Sequence, residues 1–210
     1  ARKYRPDDFS DLIGQEALVR TVTNAIRTGR LAHAFLLTGV RGVGKTTSAR
    51  ILARAFNCIG PDGSGDDPTS KPCGQCEHCV AIAEDRHIDV MEMDAASRTG
   101  VDDIRELIDG VRYRPTSARY KVYIVDEVHM LSKQAFNALL KTLEEPPPHA
   151  KFIFATTEVR RLPVTVLSRC QRFDLRRVVA TDLSAHFQSI AERENARISM
   201  GAIRLIARAA

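Results

Sequence analysis

Residues 34–46 read AFLLTGVRGVGKT, and this stretch decides the fold class. A short apolar run, typical of a buried strand, leads directly into a glycine-rich turn. From Gly39 to Thr46 the turn fits G-x-x-x-x-G-K-[ST], the phosphate-binding loop that joins a strand to a helix. Its glycines let successive backbone N–H groups point at phosphate oxygens, and the positive end of the next helix faces the same place. We therefore expect a nucleotide at this turn.

The loop also predicts which residues contact ATP. The ammonium of Lys45 offsets the charge of the β- and γ-phosphates, and the hydroxyl of Thr46 is suited to bind Mg²⁺. A chance glycine turn is the competing interpretation, but the strand and helix on either side favour the nucleotide site. The predicted ATP-binding residues are Gly39, Val40, Arg41, Gly42, Val43, Gly44, Lys45, Thr46 and Thr47.

A second apolar run, VYIVDE at 122–127, ends in two carboxylates. Asp126 is the expected partner of Thr46 in holding Mg²⁺, directly or through water. Glu127 is the expected general base, which polarises the attacking water. Two exposed carboxylates in a turn are the alternative, which the hydrophobic strand before them disfavours. A kinase passes phosphate to a substrate and has less need of Glu127, so the pair favours hydrolysis.

The rest of the chain alternates between short apolar runs and amphipathic segments, which predicts an α/β fold with a parallel sheet and helices on both faces. The expected helical caps are Ser10, Thr99 and Ser132. The predicted strands are 34–39, 87–94, 121–127, 151–157 and 171–175, and the predicted helices are 9–30, 45–56, 99–111 and 132–145. From about Thr181 the pattern becomes all-helical, so we expect one domain at 1–178 and a truncated second domain at 179–210.

Composition indicates an ordinary soluble protein, with 44% hydrophobic and 27% charged residues among 210. No apolar run is long enough to span a bilayer, and the N-terminus lacks a signal-peptide pattern. We therefore expect a cytoplasmic protein without a membrane partner. Basic residues cluster in 1–54 and 160–177, which suits a polyanionic partner such as a nucleotide or nucleic acid. A solvated basic face explains either cluster as well.

The stretch PCGQCEHC at 72–79 places three cysteines at two-residue gaps. Structural zinc takes four tetrahedral ligands, so Cys58 or His78 would complete a set with the cysteines of this stretch. His78 directly precedes a ligand and cannot easily face the same ion, so we predict Cys58. Three free thiols are the alternative. Four thiolates leave no open position, so the predicted Zn²⁺ is structural, in a module at about 58–79. Its predicted ligands are Cys58, Cys73, Cys76 and Cys79.

Several motifs together resemble the gamma/tau subunits of the bacterial DNA polymerase III clamp loader, a family of AAA+ ATPases. They are GVRGVGKT, the insert ending in PCGQCEHC, MDAASRTGVDDIR, VYIVDEVHMLSKQAFNALLKTLEEPP and LPVTVLSRCQRF. The similarity extends from RKYRP at 2–6 to IARAA at 206–210. It implies a P-loop AAA+ core at 1–178 with an inserted zinc module, and the start of an all-helical lid at 179–210.

The resemblance implies further site residues. Thr157 matches the residue that senses the γ-phosphate, and Arg169 matches the arginine finger that reaches the ATP site of a neighbouring subunit. Residues 2–6 and 13–15 resemble the edge that contacts adenine. The second sensing arginine of the family has no match before Ala210, so we expect this fragment to bind or hydrolyse ATP poorly by itself. The implied catalytic set is Lys45, Asp126, Glu127, Thr157 and Arg169.

The implied function is ATP-driven loading of a sliding clamp onto primed DNA during replication, in the bacterial replisome. It implies ATP, Mg²⁺ and Zn²⁺ as cofactors and the other clamp-loader subunits as partners. The chain would be an ATPase within the DNA-directed DNA polymerase holoenzyme, a nucleotidyltransferase, without being the polymerising subunit. One alternative is a zinc-containing nucleic-acid-binding protein with an incidental nucleotide site, which would bind DNA without ATP. The other is a non-hydrolysing scaffold, which the motif carboxylates oppose.

Overall fold

A computed structural model describes residues 4–97 and 101–209 of the chain. Five strands form one sheet in which every neighbouring pair is parallel. The strands are β1 (Ala34–Thr38), β2 (Val90–Asp94), β3 (Lys121–Asp126), β4 (Ala150–Thr156) and β5 (Gln171–Asp174). Their order across the sheet is β2-β3-β4-β1-β5, so the carboxyl ends of all five strands meet at one edge.

Helices connect the strands, as a parallel sheet requires. They are α1 (Glu16–Arg27), α2 (Lys45–Asn57), α3 (Glu77–Ala83), α4 (Val101–Val111), α5 (Lys133–Glu144), α6 (Val164–Leu167), α7 (Ala180–Arg193) and α8 (Met200–Ala209). Three short 3₁₀ turns lie at Phe9–Asp11, Val128–Met130 and Val159–Arg161. None of the helices within the described part of the chain is long and apolar enough to cross a lipid bilayer.

The hydrophobic core has two layers because successive strand residues face opposite sides of the sheet. On one side, Leu36 and Phe152 pack with residues of α4 and α5, such as Ile104. On the other side, Phe35 packs with residues of α1 and α2, such as Leu52. All residues of β1 and β4 are buried. The predicted α/β class with a parallel sheet between helices is therefore confirmed.

The prediction of one helix over 9–30 is wrong. A 3₁₀ turn at Phe9–Asp11 is separated from α1, because Gly14 between them has a φ of 75° that an α-helix cannot contain. Ser10 is not the cap: the carboxylate of Asp8 accepts hydrogen bonds from the N–H groups of Ser10 and Asp11. The hydroxyl of Ser10 itself donates to Asp8, so the carboxylate is the stronger acceptor here.

The other predicted caps and boundaries have different outcomes. The cap at Ser132 is confirmed, since its hydroxyl accepts a hydrogen bond from the N–H of Ala135. The predicted strand at 87–94 begins only at Val90, because a turn precedes it in which the N–H of Val90 donates to the carbonyl oxygen of His87. The cap at Thr99 lies outside the described residues. Residues 180–209 contain α7 and α8, as the helical pattern predicted; the division into domains and the lid remain predictions.

Candidate functional site

The phosphate loop lies between β1 and α2, and its backbone requires glycine. A Cβ atom on Gly39, where φ is 150°, would lie 2.8 Å from the carbonyl oxygen of Leu175. Gly44 has a φ of 97° and directly precedes α2, whose first turn has no side-chain cap. The N–H groups of that turn therefore remain available to an anion. This is the local geometry that the sequence motif predicted.

Lys45 and Thr46 begin α2 at the loop. The Lys45 ammonium is buried and donates to the carbonyl oxygens of Gly39 (3.0 Å) and Val40 (3.2 Å). The hydroxyl of Thr46 donates to Oδ2 of Asp126 at 2.6 Å. Hard oxygen atoms of this kind are the ligands that Mg²⁺ prefers, so Thr46 and Asp126 fit the ion that a nucleotide would bring.

Glu127 lies beside Asp126 but leaves the strand direction. Its backbone is left-handed, with φ 45° and ψ 44°. Its Oε2 accepts hydrogen bonds from the N–H (3.1 Å) and the hydroxyl (2.9 Å) of Thr157. Thr157 follows β4, the neighbour of β3, so adjacent strand ends bring these two predicted residues together.

A cavity of about 930 Å³ opens at this edge of the sheet. Its walls include most of the predicted loop residues together with Asp126, Glu127 and Thr157. They also include Arg5 from the predicted adenine edge, and three residues that were not predicted, Asp94, Ala96 and Glu158. Asp94 could have been found, because it ends a strand and lies opposite Asp126 in the parallel register. Ala96 and Glu158 carry no such sequence signal.

A second cavity of about 320 Å³ adjoins the first and shares Arg5, Gly42, Gly44 and Thr47 with it. Residues 4–6, Ile13 and Gln15 line it, so the predicted adenine edge lies next to the phosphate loop. Residues 2 and 3 of that prediction lie outside the described residues. Leu183 and His186 of α7 form another wall. An apolar slot beside a phosphate site is suited to a nucleotide base.

Arg169 is not among the described residues that line the nucleotide cavity of its own chain. Its guanidinium donates to Oε1 of Glu144 (2.7 Å) and to the carbonyl oxygen of Thr165 (2.8 Å). Among the described residues, Arg169 is not part of the wall of the 930 Å³ cavity. The structure therefore does not bring Arg169 to the phosphate loop of its own chain, and its predicted action on a neighbouring subunit remains a prediction.

The four predicted cysteine ligands converge into one cluster. The sulfur atoms of Cys58, Cys73, Cys76 and Cys79 all lie within 4.8 Å of one another. Four thiolates around zinc at about 2.3 Å would lie about 3.8 Å apart, so the cluster fits this ion. Backbone N–H groups support the sulfurs: those of Gly60 and Cys73 donate to the sulfur of Cys58.

The pKa values of the cysteine thiols in this cluster differ from their ordinary values. Burial raises the pKa of the Cys58 and Cys79 thiols, so these groups resist ionisation unless a positive charge is present. Burial acts in the same direction on Cys73, but N–H donors from Cys76 and Gln75 outweigh it and lower its pKa to about 7.

His78 does not join the cysteine cluster. It is buried, and its Nδ1 lies 2.8 Å from Nε2 of His87. The backbone N–H of Asp89 donates to Nδ1 of His87, which ties the pair to the start of β2. Of the two candidates for the fourth ligand, the structure places Cys58, and not His78, with the other three cysteines.

Comparisons with curated proteins find relatives of similar sequence. The chain spans about a third to about half of the length of the curated relatives that it matches. It is 49% identical over 210 residues to "DNA polymerase III subunit tau/gamma" of Haemophilus influenzae, covering 100% of this chain and 30% of the relative. It is 48% identical over 210 residues to "DNA polymerase III subunit tau" of Escherichia coli, covering 100% of this chain and 32% of the relative.

Solved structures show the same fold. The Thermotoga maritima RuvB Holliday junction branch migration motor has a TM-score of 0.66 and 21% identity, covering 97% of this chain and 59% of that one. This likeness shows that the two chains share a fold. A protein related to the DNA polymerase III gamma subunit, also from Thermotoga maritima, has a TM-score of 0.51 and 23% identity over 83% of this chain and 52% of its own.

The resemblance to clamp-loader gamma/tau subunits is thus confirmed by relatives matched over the whole chain. A family model covers residues 14–179, which is most of the core that surrounds the candidate site. This match and these relatives show that the chain belongs to the DNA polymerase III subunit family whose model is described as "DNA polymerase III, delta subunit".

Proposed function

We propose that this chain is the ATP-binding and ATP-hydrolysing part of a clamp-loader subunit of the bacterial DNA polymerase III holoenzyme, which loads a sliding clamp onto primed DNA. The observation that carries the proposal is that the phosphate loop, Asp126, Glu127 and Thr157 line one and the same cavity. The tau and gamma names of the similar relatives supply the setting in replication.

In this proposal, the triphosphate lies on the N–H groups of the loop and at the start of α2. Lys45 leaves the carbonyl oxygens of Gly39 and Val40 to contact the β- and γ-phosphates. Thr46 and Asp126 would hold Mg²⁺, which when bound offsets charge on the β- and γ-phosphate oxygens. Residues 4–6, Ile13 and Gln15 line the slot for the base.

Hydrolysis breaks the bond between the γ-phosphorus and the oxygen that bridges it to the β-phosphate, and gives ADP and phosphate. Glu127 orients the attacking water and accepts its proton. Thr157 holds Glu127 and lies where it can respond to the γ-phosphate. Arg169 acts on the site of a neighbouring subunit, where it offsets the charge that develops on the γ-phosphoryl oxygens. Hydrolysis then depends on assembly.

The four cysteines would hold Zn²⁺ through a closed set of thiolates. With no ligand position left for a substrate, such an ion stabilises the module and performs no catalysis. The module begins at the end of α2 and continues into α3, so it starts at the opposite end of α2 from the phosphate loop.

The proposed partners are the other clamp-loader subunits, the sliding clamp and primed DNA, in the bacterial cytoplasm. The chain serves the polymerase holoenzyme as an ATPase and does not polymerise DNA itself. The test is the ATPase rate of the full-length subunit, assembled with its partner subunits, with and without clamp and primed DNA. We expect both ligands together to raise the rate. Salt-dependent DNA binding with no ATPase activity would favour the zinc-containing nucleic-acid-binding protein instead.

A further inference from the structure

His129 is a buried imidazole next to the site, and the proposed chemistry gives it no role so far. It lies in the 3₁₀ turn Val128–Met130, two residues after Glu127, and its side chain is 6% exposed. Its Nδ1 lies 2.9 Å from Oγ1 of Thr156 and 3.3 Å from Oε2 of Glu127. Its Nε2 lies 3.6 Å from Oε1 of Glu158. The ring thus lies between two carboxylates that line the nucleotide cavity.

These distances favour one tautomer of the imidazole. An unprotonated Nδ1 would direct its lone pair at the Glu127 carboxylate from 3.3 Å, which is repulsive. We therefore assign the proton to Nδ1, the ring nitrogen that faces both Thr156 and Glu127. The hydroxyl of Thr156 also accepts a hydrogen bond from the N–H of Glu158 at 3.0 Å, so it is fixed in place at the end of β4.

Two residues consequently contact one oxygen of Glu127. The N–H and hydroxyl of Thr157 donate hydrogen bonds to Oε2, and Nδ1 of His129 lies within ion-pair distance of the same oxygen. Within the described part of the chain, no hydrogen bond reaches Oε1. One carboxylate oxygen is held, and the other is free to accept a proton from water.

The two residues that contact Oε2, Thr157 and His129, differ in rigidity. Thr157 is exposed and belongs to the loop that follows β4, whereas His129 is almost fully buried. A buried ring that contacts Thr156 loses little further freedom when it holds a carboxylate. His129 is therefore the more rigid of the two supports for Glu127.

We propose that His129 is a positioning residue for Glu127, which it holds by Oε2 so that Oε1 is presented to the attacking water. The inference rests on the proposed function, because it assigns His129 a part in ATP hydrolysis. His129 acts through Glu127 and does not contact the nucleotide. Its loss therefore changes the rate of the chemical step while ATP binding stays the same.

The experiment measures kcat and KM for ATP with the full-length subunit assembled with its partner subunits, saturating clamp and primed DNA. A general base contributes about 10²–10⁴ in rate, and a base with its support removed loses part of this. We expect His129→Ala to lower kcat about tenfold or more, with KM within about twofold. His129→Asn should restore most of the rate, because its amide N–H lies near the Nδ1 position. His129→Gln, which reaches toward the Nε2 position, should not.

Single-turnover hydrolysis in the Glu127→Gln background provides a double-mutant test. We expect His129→Ala to cause no further loss there, because the group that it positions is already gone. A further loss of about tenfold would contradict the proposal, as would parental kcat in His129→Ala or equal rescue by Asn and Gln. If the Ala variant does not fold, the comparison of Asn with Gln decides.

These variants also separate the inference from the function on which it rests. If Glu127→Gln hydrolyses ATP at the parental rate, Glu127 is not the base and the proposed mechanism fails. If Glu127→Gln is inactive while His129→Ala retains the parental kcat, the mechanism stands and only the role of His129 is wrong.

Discussion

The hydroxyl of Thr46 lies 2.6 Å from a carboxylate oxygen of Asp126, although the two residues are 80 positions apart in the chain. One begins the helix after the phosphate loop, and the other ends β3. The parallel sheet places the loop that follows β1 and the carboxyl end of β3 at one edge, and this brings the two proposed Mg²⁺ ligands together.

We expect Asp126→Asn to lower Mg²⁺-dependent ATP hydrolysis by about 100-fold or more, because the neutral amide loses the charge that attracts the ion. The measurement is the ATPase rate of the assembled complex over a range of Mg²⁺ concentrations. Asp174→Asn is the matched control: Asp174 also ends a strand, but it pairs with Arg172 and is not in the described wall of the cavity. Equal effects of both substitutions would exclude a specific role for Asp126.

For the cysteine cluster, we expect about one tightly bound Zn²⁺ per chain, measured by elemental analysis of protein purified without chelator. Cys58→Ser should lose most of the metal, because three thiolates leave the tetrahedral set incomplete. His78→Ala should retain it, since His78 pairs with His87. Cys170→Ser is the control for the loss of a thiol outside the cluster. Full zinc content in Cys58→Ser together with loss in His78→Ala would transfer the fourth ligand to His78.

Features that neighbouring residues determine could be predicted from the sequence, whereas contacts between distant parts of the chain could not. The phosphate loop could be predicted because glycine, lysine and threonine at fixed spacing determine its backbone locally. Cys58 could be chosen over His78 because adjacent residues in a chain cannot easily face one ion. By contrast, the contact between Glu127 and Thr157 depends on a left-handed backbone at Glu127 and on the order of the strands. No local pattern contains that information.

Two further features of the structure could not be predicted from the sequence for the same reason. The helix predicted over 9–30 is interrupted because the backbone of Gly14 is left-handed, although the apolar pattern continues across it. The pairing of His78 with His87 depends on how α3 packs beside the start of β2, which the spacing of histidines does not reveal. Sequence patterns thus predicted the five strands and the motifs, while long-range packing determined the contacts between them.

Lys151 gives a prediction for stability. Its side chain is buried in β4, and burial lowers its pKa from 10.5 to about 8. The unfolded chain binds this proton more tightly. Burying the charged lysine therefore lowers the free energy of unfolding by about 3 kcal/mol below pH 8, and this cost disappears as pH rises toward 10.5. We expect Lys151→Met to raise the free energy of unfolding at pH 7 and to lose this advantage above pH 10. The measurement is denaturant unfolding of both proteins across that pH range.

A different outcome for Lys151 would have a specific meaning. The ammonium donates to the carbonyl oxygen of Leu31 and lies 5.0 Å from the ring centre of Tyr120. If Lys151→Met is less stable than the parent at pH 7, these two contacts outweigh the cost of burying the charge.

For Arg169, we expect Arg169→Ala to leave ATP binding by the same chain nearly unchanged, because the residue lies outside the described wall of its own cavity. Turnover of the assembled complex should fall by about 10³-fold, the scale of an arginine supplied by a neighbour. Arg169→Lys should rescue little, since an ammonium lacks the planar fork of the guanidinium. The measurement mixes Lys45→Ala and Arg169→Ala chains in complexes of controlled order. Activity should survive only where an intact phosphate loop faces an intact Arg169 of the neighbouring chain. If each substitution instead abolishes only the activity of the chain that carries it, Arg169 does not act between subunits.

The central claim is that Glu127 drives ATP hydrolysis in a clamp loader, and one measurement tests it most directly. It compares ATP binding and ATP hydrolysis by the full-length Glu127→Gln subunit and its parent, each assembled with partner subunits, clamp and primed DNA. The amide keeps the shape of the side chain but accepts no proton at neutral pH. The account predicts unchanged ATP affinity with turnover lowered by about 10²–10⁴-fold and no stimulation by clamp and DNA. Parental turnover and stimulation in Glu127→Gln would contradict it.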